Sequence, residues 1–328
     1  MSTVRLVAAP PRLGLRGVEV PSAVRISQLP SVAMRPALRH APSTALAVAM
    51  CCAMCCASGC KSVTTATKNP TSRFVPSNER VWSPDQAVLP TAAIGRDDVL
   101  VRNVRNCRYL SADDYIVDYY DRVVHLDDLV SVDFVMVPFQ TMPSMAHTML
   151  SFGTRDGDRL AVSVEIRKEL GESYSVVKGL LNEFEIMYVV ADERDVIDLR
   201  VRQRGDDVFV YPLRATPVQT RALFVDMMHR ANQLAERPEF YNTITNNCTT
   251  AIVEHFNHLS KRPLSVSDPR IFLPGYSDEL VYDLGLIDTA DSFAETKRRA
   301  NVSALARQHD RDEPNFSQAI RAGWTATR

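Results

Sequence analysis

Residues 131–167 read SVDFVMVPFQTMPSMAHTMLSFGTRDGDRLAVSVEIR, and their alternation decides the fold class. Ser131–Phe139 is rich in β-branched and aromatic residues and predicts a strand. His147–Gly153 predicts a second strand. Asp156-Gly157 is a turn signal between strands. Arg159–Arg167 alternates apolar and polar residues, as the return strand of a hairpin does.

Working outward, Val99–Tyr109 precedes this hairpin as a further strand. Phe184–Ala191 and Asp207–Leu213 follow it as two more. The period then changes. Thr216-Pro217 supplies a capping hydroxyl and a proline at the first helical position. Leu223, Phe224, Met227, Met228, Ala231 and Leu234 recur on one helical face, and Pro238 closes the element. A second helix begins near Cys248, with Ile252, Val253, Phe256 and Leu259 as its apolar stripe. Strands mostly first and helices mostly later predict an α+β fold.

The chain has 328 residues and a formal net charge of −1, so no basic excess points to nucleic acid. The first 95 or so residues are poor in acids and rich in Ala, Pro, Ser and Arg. Five of the seven cysteines fall between Cys51 and Cys60. From Met34 the sequence runs through Arg35 and Arg39 into an uncharged stretch from Thr44 to Gly59. That order is a secretory signal, and its 16 uncharged residues fall short of a spanning helix, which needs roughly 20.

Ala57-Ser58-Gly59-Cys60 resembles the lipobox of bacterial lipoproteins, with Ala57 where a larger aliphatic residue is usual. The resemblance implies cleavage before Cys60, a lipid on its thiol, and a membrane partner through that lipid. Lys61 after it favours the periplasmic face of the outer membrane. Residues 1–33 are then read as an upstream mis-start, 34–59 as signal, and 60–95 as a polar, proline-bearing tether. Residues 96–293 are the folded domain, and 294–328 a charged, loosely helical tail.

Cys248 follows an asparagine-rich, turn-like run in which Asn246 or Asn247 is a candidate cap. A cysteine at a helix start meets unpaired N–H groups and the positive end of the dipole, which stabilise a thiolate and an oxyanion. A thiolate nucleophile needs a base and a group that orients that base. His147 is the candidate base. Ser163 and Glu165 lie on the adjacent strand, on one face with Arg167, and Glu165 is the candidate orienter. His255 and His258 have metal-ligand spacing beside Glu254, but no recognisable spacing adds further ligands. No metal or other cofactor is expected, and no phosphate-binding loop is present. A Cys107–Cys248 disulfide remains an alternative in an oxidising compartment.

These residues carry a specific resemblance. VDFVMVPF, AHTMLSFG, SVEIRKELGESYS, YVVADERDVIDLR and FYNTITNNCTT, in that order, resemble the periplasmic domain of the Lnb-type lipoprotein N-acyltransferases. The resemblance implies a permuted papain-like (NlpC/P60-like) fold, in which the histidine strand precedes the cysteine helix. It implies Cys248 and His147 as the catalytic pair, with Glu165 in the acidic position. Arg167, Glu169 and Tyr174 match further family positions.

The full acyltransferases carry a membrane-embedded part after this domain, and this chain has no later apolar stretch long enough to span a bilayer. The function expected is an envelope thiol acyltransferase or hydrolase acting on a lipid, a lipoprotein or a cell-wall peptide. A cell-wall peptidase or amidase is the alternative enzyme. A non-catalytic envelope binding module is the alternative class. Phe139, Met142, Met145 and Met149 are candidates for an apolar groove wall.

Overall fold

The computed structural model of the chain describes residues 75–112 and 114–325. The expected signal, the mis-start and Cys60 lie outside the described residues. The strands are β1 (Thr91–Ile94), β2 (Asp98–Arg105), β3 (Arg108–Tyr109), β4 (Tyr115–Ile116), β5 (Tyr119–His125), β6 (Leu129–Phe139), β7 (Met142–Thr154), β8 (Arg159–Arg167), β9 (Glu185–Asp192) and β10 (Phe209–Pro212). The main sheet runs β1-β2-β9-β8-β7-β6-β10, with β5 also on β2. Its pairs are antiparallel except for the β2–β9 contact at Arg105 and Ala191. The expected hairpin joins β7 to β8, with Gly157 at φ 93° in its turn.

The helices are α1 (Val176–Leu180), α2 (Glu193–Asp198), α3 (Pro217–Glu236), α4 (Cys248–Leu259), α5 (Pro269–Phe272), α6 (Ser277–Asp283), α7 (Phe293–Ala300), α8 (Ser303–Gln308), α9 (Phe316–Ala319) and α10 (Ala322–Thr325). A single π-helical stretch, Leu199–Gln203, continues α2. Thr216 caps α3 in a reciprocal capping box with Gln219. The fold is α+β, as the order of strands and helices predicts.

The sheet separates two cores. On its first face Ala146, Leu150 and Phe152 of β7 and Leu160, Val162 and Val164 of β8 meet α3 and α4. Phe152 and Phe224 pack edge to face at 5.2 Å, an arrangement that contributes about 1 kcal/mol beyond area burial. On the second face Met149, Ala161, Met187 and Val189 meet Val196 and Ile197 of α2, then Val302, Ala306, Phe316 and Ile320. Successive side chains of a strand project to opposite faces, so even-numbered β7 residues face α4 and odd-numbered ones face away.

Two expected boundaries are corrected. The segment from Val75 is not all tether. Trp82 is buried with the Arg167 guanidinium 4.2 Å above its ring, and β1 joins the sheet. Nor is the segment after residue 293 a loose tail. Its apolar residues are few but are placed as anchors over the second face. Its charges turn inward: Arg321 pairs with both Asp133 and Glu193, and Arg311 donates to the Cys107 carbonyl at 2.7 Å.

Candidate active site

Asparagines build the start of α4. Asn242 Oδ1 accepts from the N–H groups of Ile244 and Thr245, closing a tight turn. Asn246 donates from its side chain to Phe240 O at 2.9 Å, and Asn247 to Thr243 O at 2.7 Å. Asn247 is the cap: its Oδ1 accepts from Thr249 and Thr250 N–H, both at 2.9 Å, while Thr250 Oγ1 accepts from Asn247 N–H at 2.8 Å. These bonds consume two N–H groups of the first turn. Among the described residues the Cys248 N–H has no acceptor, so it is the one in this turn left to meet an oxyanion.

Cys248 is buried and free, and its Sγ lies 3.9 Å from Ala146 O and 3.9 Å from Thr249 Oγ1. The thiol therefore points down onto β7. Tyr174 and Tyr241 both feel its charge. Burial, and Cys248 after it, raises the pKa of each phenol. Tyr174 is exposed, between Phe139 and Phe184. Cys107 is also buried and free, in a separate apolar cluster, and burial first and Asp195 next push its thiol up to about 12. The two cysteines are not bridged.

His147 Nε2 lies 2.7 Å from Ser163 Oγ, and Ser163 donates its hydroxyl to Glu165 Oε1 at 2.9 Å. Ser163 has one proton to give, so the network assigns the imidazole proton to Nε2 and leaves the Nδ1 lone pair free. Burial lowers the His147 pKa to about 3, Arg200 adds to the effect, and Glu165 partly opposes it. Burial alone would raise Glu165, but His147, Arg105 and Arg200 outweigh it and hold the carboxyl well below its ordinary range.

The structure does not bring the expected dyad together. Ala146 and Thr148 face α4, and Thr148 Oγ1 is 3.1 Å from Thr249 Oγ1. His147 stands between them on the strand and faces the other way, towards Ser163, Glu165 and the π-helical stretch. Ser163, Glu165 and His147 form one cluster on the second face; Cys248 and Asn247 form another on the first. Pairing between β7 and β8 stops at Met149 and Ser163, so His147 sits where the two strands part.

Arg167 is structural. It donates to Gln86 O, Ala87 O and Asn78 Oδ1, tying β8 to the incoming chain. Glu169 pairs with Arg80 at 3.2 Å. Of the groove candidates, Met149 is core on the second face and Met142 is exposed. Sequence reasoning missed Arg200, Arg105 and Gln86, the last of which donates to Glu165 at 3.3 Å. Only Arg200 and Tyr241 had a signal, as members of the sequence blocks quoted above.

Residues 115–274 match the Lnb N-terminal periplasmic domain, over just under half of the chain. This segment is similar to that domain. No curated protein and no solved structure matches the chain. The Lnb segment begins at β4 and ends after α5, so it contains both clusters. A periplasmic domain implies an envelope location. No helix of the described residues is long and apolar enough to cross a membrane. Of the elements that the Lnb match leaves out, β1 completes the sheet edge, and α8 and α9 cover its second face.

Proposed function

We propose that this protein is an envelope acyltransferase or hydrolase with Cys248 as nucleophile and a lipid-like acyl donor as substrate. The observation that supports this reading is a cavity of about 540 Å³ on the Cys248 face of the sheet. Phe134 and Leu150 from the sheet, Leu223 from α3, and Ile252 and Phe256 from α4 line it. Thr249, whose hydroxyl is 3.9 Å from the thiol, lines it too. Arg214, Lys261 and Arg262 are exposed along its border. An apolar chamber of this size takes a small organic ligand, and border cations suit the phosphate of a glycerophospholipid.

In this reading the thiolate attacks the ester carbonyl, with the Cys248 N–H towards the oxyanion. The alcohol leaves with a proton as a lysolipid, and the thioester then passes its acyl group to an amine or to water. His147 is the base. Its imidazole lies on the other face of the sheet, so the start of β7 must move before the thiol loses its proton. That stretch is paired to β6 but not to β8, which makes it the movable part. A lipid on Cys60 would hold the domain at the periplasmic face of the outer membrane.

The test is intact mass after incubation with phospholipid vesicles, on wild type, Cys248→Ser and His147→Gln. An acyl adduct on wild type, absent from both variants, is the expected result. An adduct that forms equally fast on His147→Gln removes His147 as base. Cleavage of muropeptides without an adduct moves the substrate to cell-wall peptide. No reaction at all favours the second reading, a lipid-binding module, which the separation of Cys248 from His147 supports.

A further inference from the structure

The far end of α4 carries a second cluster that the thiol chemistry does not use. His255 and His258 are three apart on α4, and Asp226 projects from α3 beside them. Asp226 Oδ2 lies 2.6 Å from His255 Nδ1 and 3.1 Å from His258 Nδ1. One carboxylate oxygen thus meets both imidazoles through the same ring nitrogen, and all three atoms lie within 4.8 Å of one another. The sequence offered the histidine pair without a third ligand; the packing of α3 on α4 supplies it.

The spacing of the three groups is near that of a metal site. Zinc bonds of roughly 2.0–2.1 Å at tetrahedral angles put neighbouring ligand atoms roughly 3.3 Å apart. Against that spacing the His258–Asp226 distance is about 0.2 Å short and the His255–Asp226 distance about 0.7 Å short, so the carboxylate draws back from His255 to admit the ion. His255 is buried, and its Nε2 is 2.6 Å from the Tyr188 hydroxyl on β9. That contact fixes the ring with Nδ1 towards Asp226, as the outer partners of metal-bound histidines do. With a metal on both Nδ1 atoms, each ring carries its proton on Nε2. That of His255 faces Tyr188, and that of His258 faces Glu254 at 3.9 Å. His258 is exposed, which leaves an entry path and room for water as a fourth ligand.

We propose that Asp226, His255 and His258 bind a divalent transition-metal ion of the zinc class, clamping the helix that begins with Cys248 to α3. The site stands independently of the acyl-transfer reading.

The experiment is calorimetric titration of zinc chloride into the chelator-stripped full chain. Its accessible cysteines are first blocked with iodoacetamide, so that the thiols between Cys51 and Cys60 do not take the metal. His258→Ala and Asp226→Asn are titrated alongside, with His309→Ala as a control away from the cluster. One site per chain is expected in wild type and in the control, weakened about tenfold or more in both cluster variants. Thermal unfolding should shift upward with zinc in wild type and in the control, and in neither cluster variant. His258→Ala replaces an exposed side chain, so its reading does not depend on Asp226→Asn folding. Equal affinity in wild type and His258→Ala, or no binding to wild type, would overturn the proposal and leave Asp226 as a plain hydrogen-bond bridge.

Discussion

His147 is held neutral in the folded chain, and this has a measurable sign. Its pKa falls from an ordinary 6.5 to about 3. Between those values the unfolded chain binds a proton that the folded chain does not, so stability rises with pH across that window. The stability is complete above the ordinary value and is lost as pH falls towards about 3. Urea unfolding at about pH 7 and about pH 5 should therefore show a smaller acid loss for His147→Gln than for wild type. Equal losses would mean that His147 is protonated in the fold. The separation of His147 from Cys248 was partly legible. Ala146, Thr148, Leu150 and Phe152 make the even positions of β7 the more apolar set, and those face the helix layer. What the sequence lacked was which face α4 would cover, because that depends on long-range packing.

Local chemistry made α3 and α4 readable, since each announces its own cap: Thr216 with Gln219, and Asn247 with Thr250. Strand β8 was readable for the same reason, through clean alternation. β5 was not. Tyr119–His125 alternates weakly, and its partner β2 decides its fate. A close approach that no periodicity reveals holds the start of β7. A Cβ on Gly275 would stand 1.9 Å from Pro143 O. Gly275→Ala must push the Pro274–Tyr276 turn away from β7, and overpacking of this kind costs about 1–3 kcal/mol. Thermal unfolding checks it; an unchanged midpoint would mean that the turn yields freely. Because this turn presses on the segment that has to move for His147 to act, the variant should also raise Cys248 alkylation.

Across the whole molecule the least legible part is the last helical segment. Low apolar content and many charges argue for solvent, yet Arg311 and Arg321 turn inward and are paired there. Arg321 is buried between Asp133 of β6 and Glu193 of α2, with Arg159 also on Asp133 at 2.6 Å. Removing one member of such a group strands the others without water. Arg321→Ala should cost about 3–5 kcal/mol, measured by urea unfolding. A loss below about 1 kcal/mol would instead place the group in effective contact with solvent.

The order in which the ribosome makes these pieces has a consequence for biogenesis. Met149, Met187 and Val189 are synthesised long before Val302, Phe316 and Ile320, which cover them. Until those residues emerge, that side of the sheet has only α2 and the π-helical stretch to fold against. That core is incomplete in the nascent chain, which suits a polypeptide that has to be threaded through an export channel. Closure waits for its last helices to arrive on the far side.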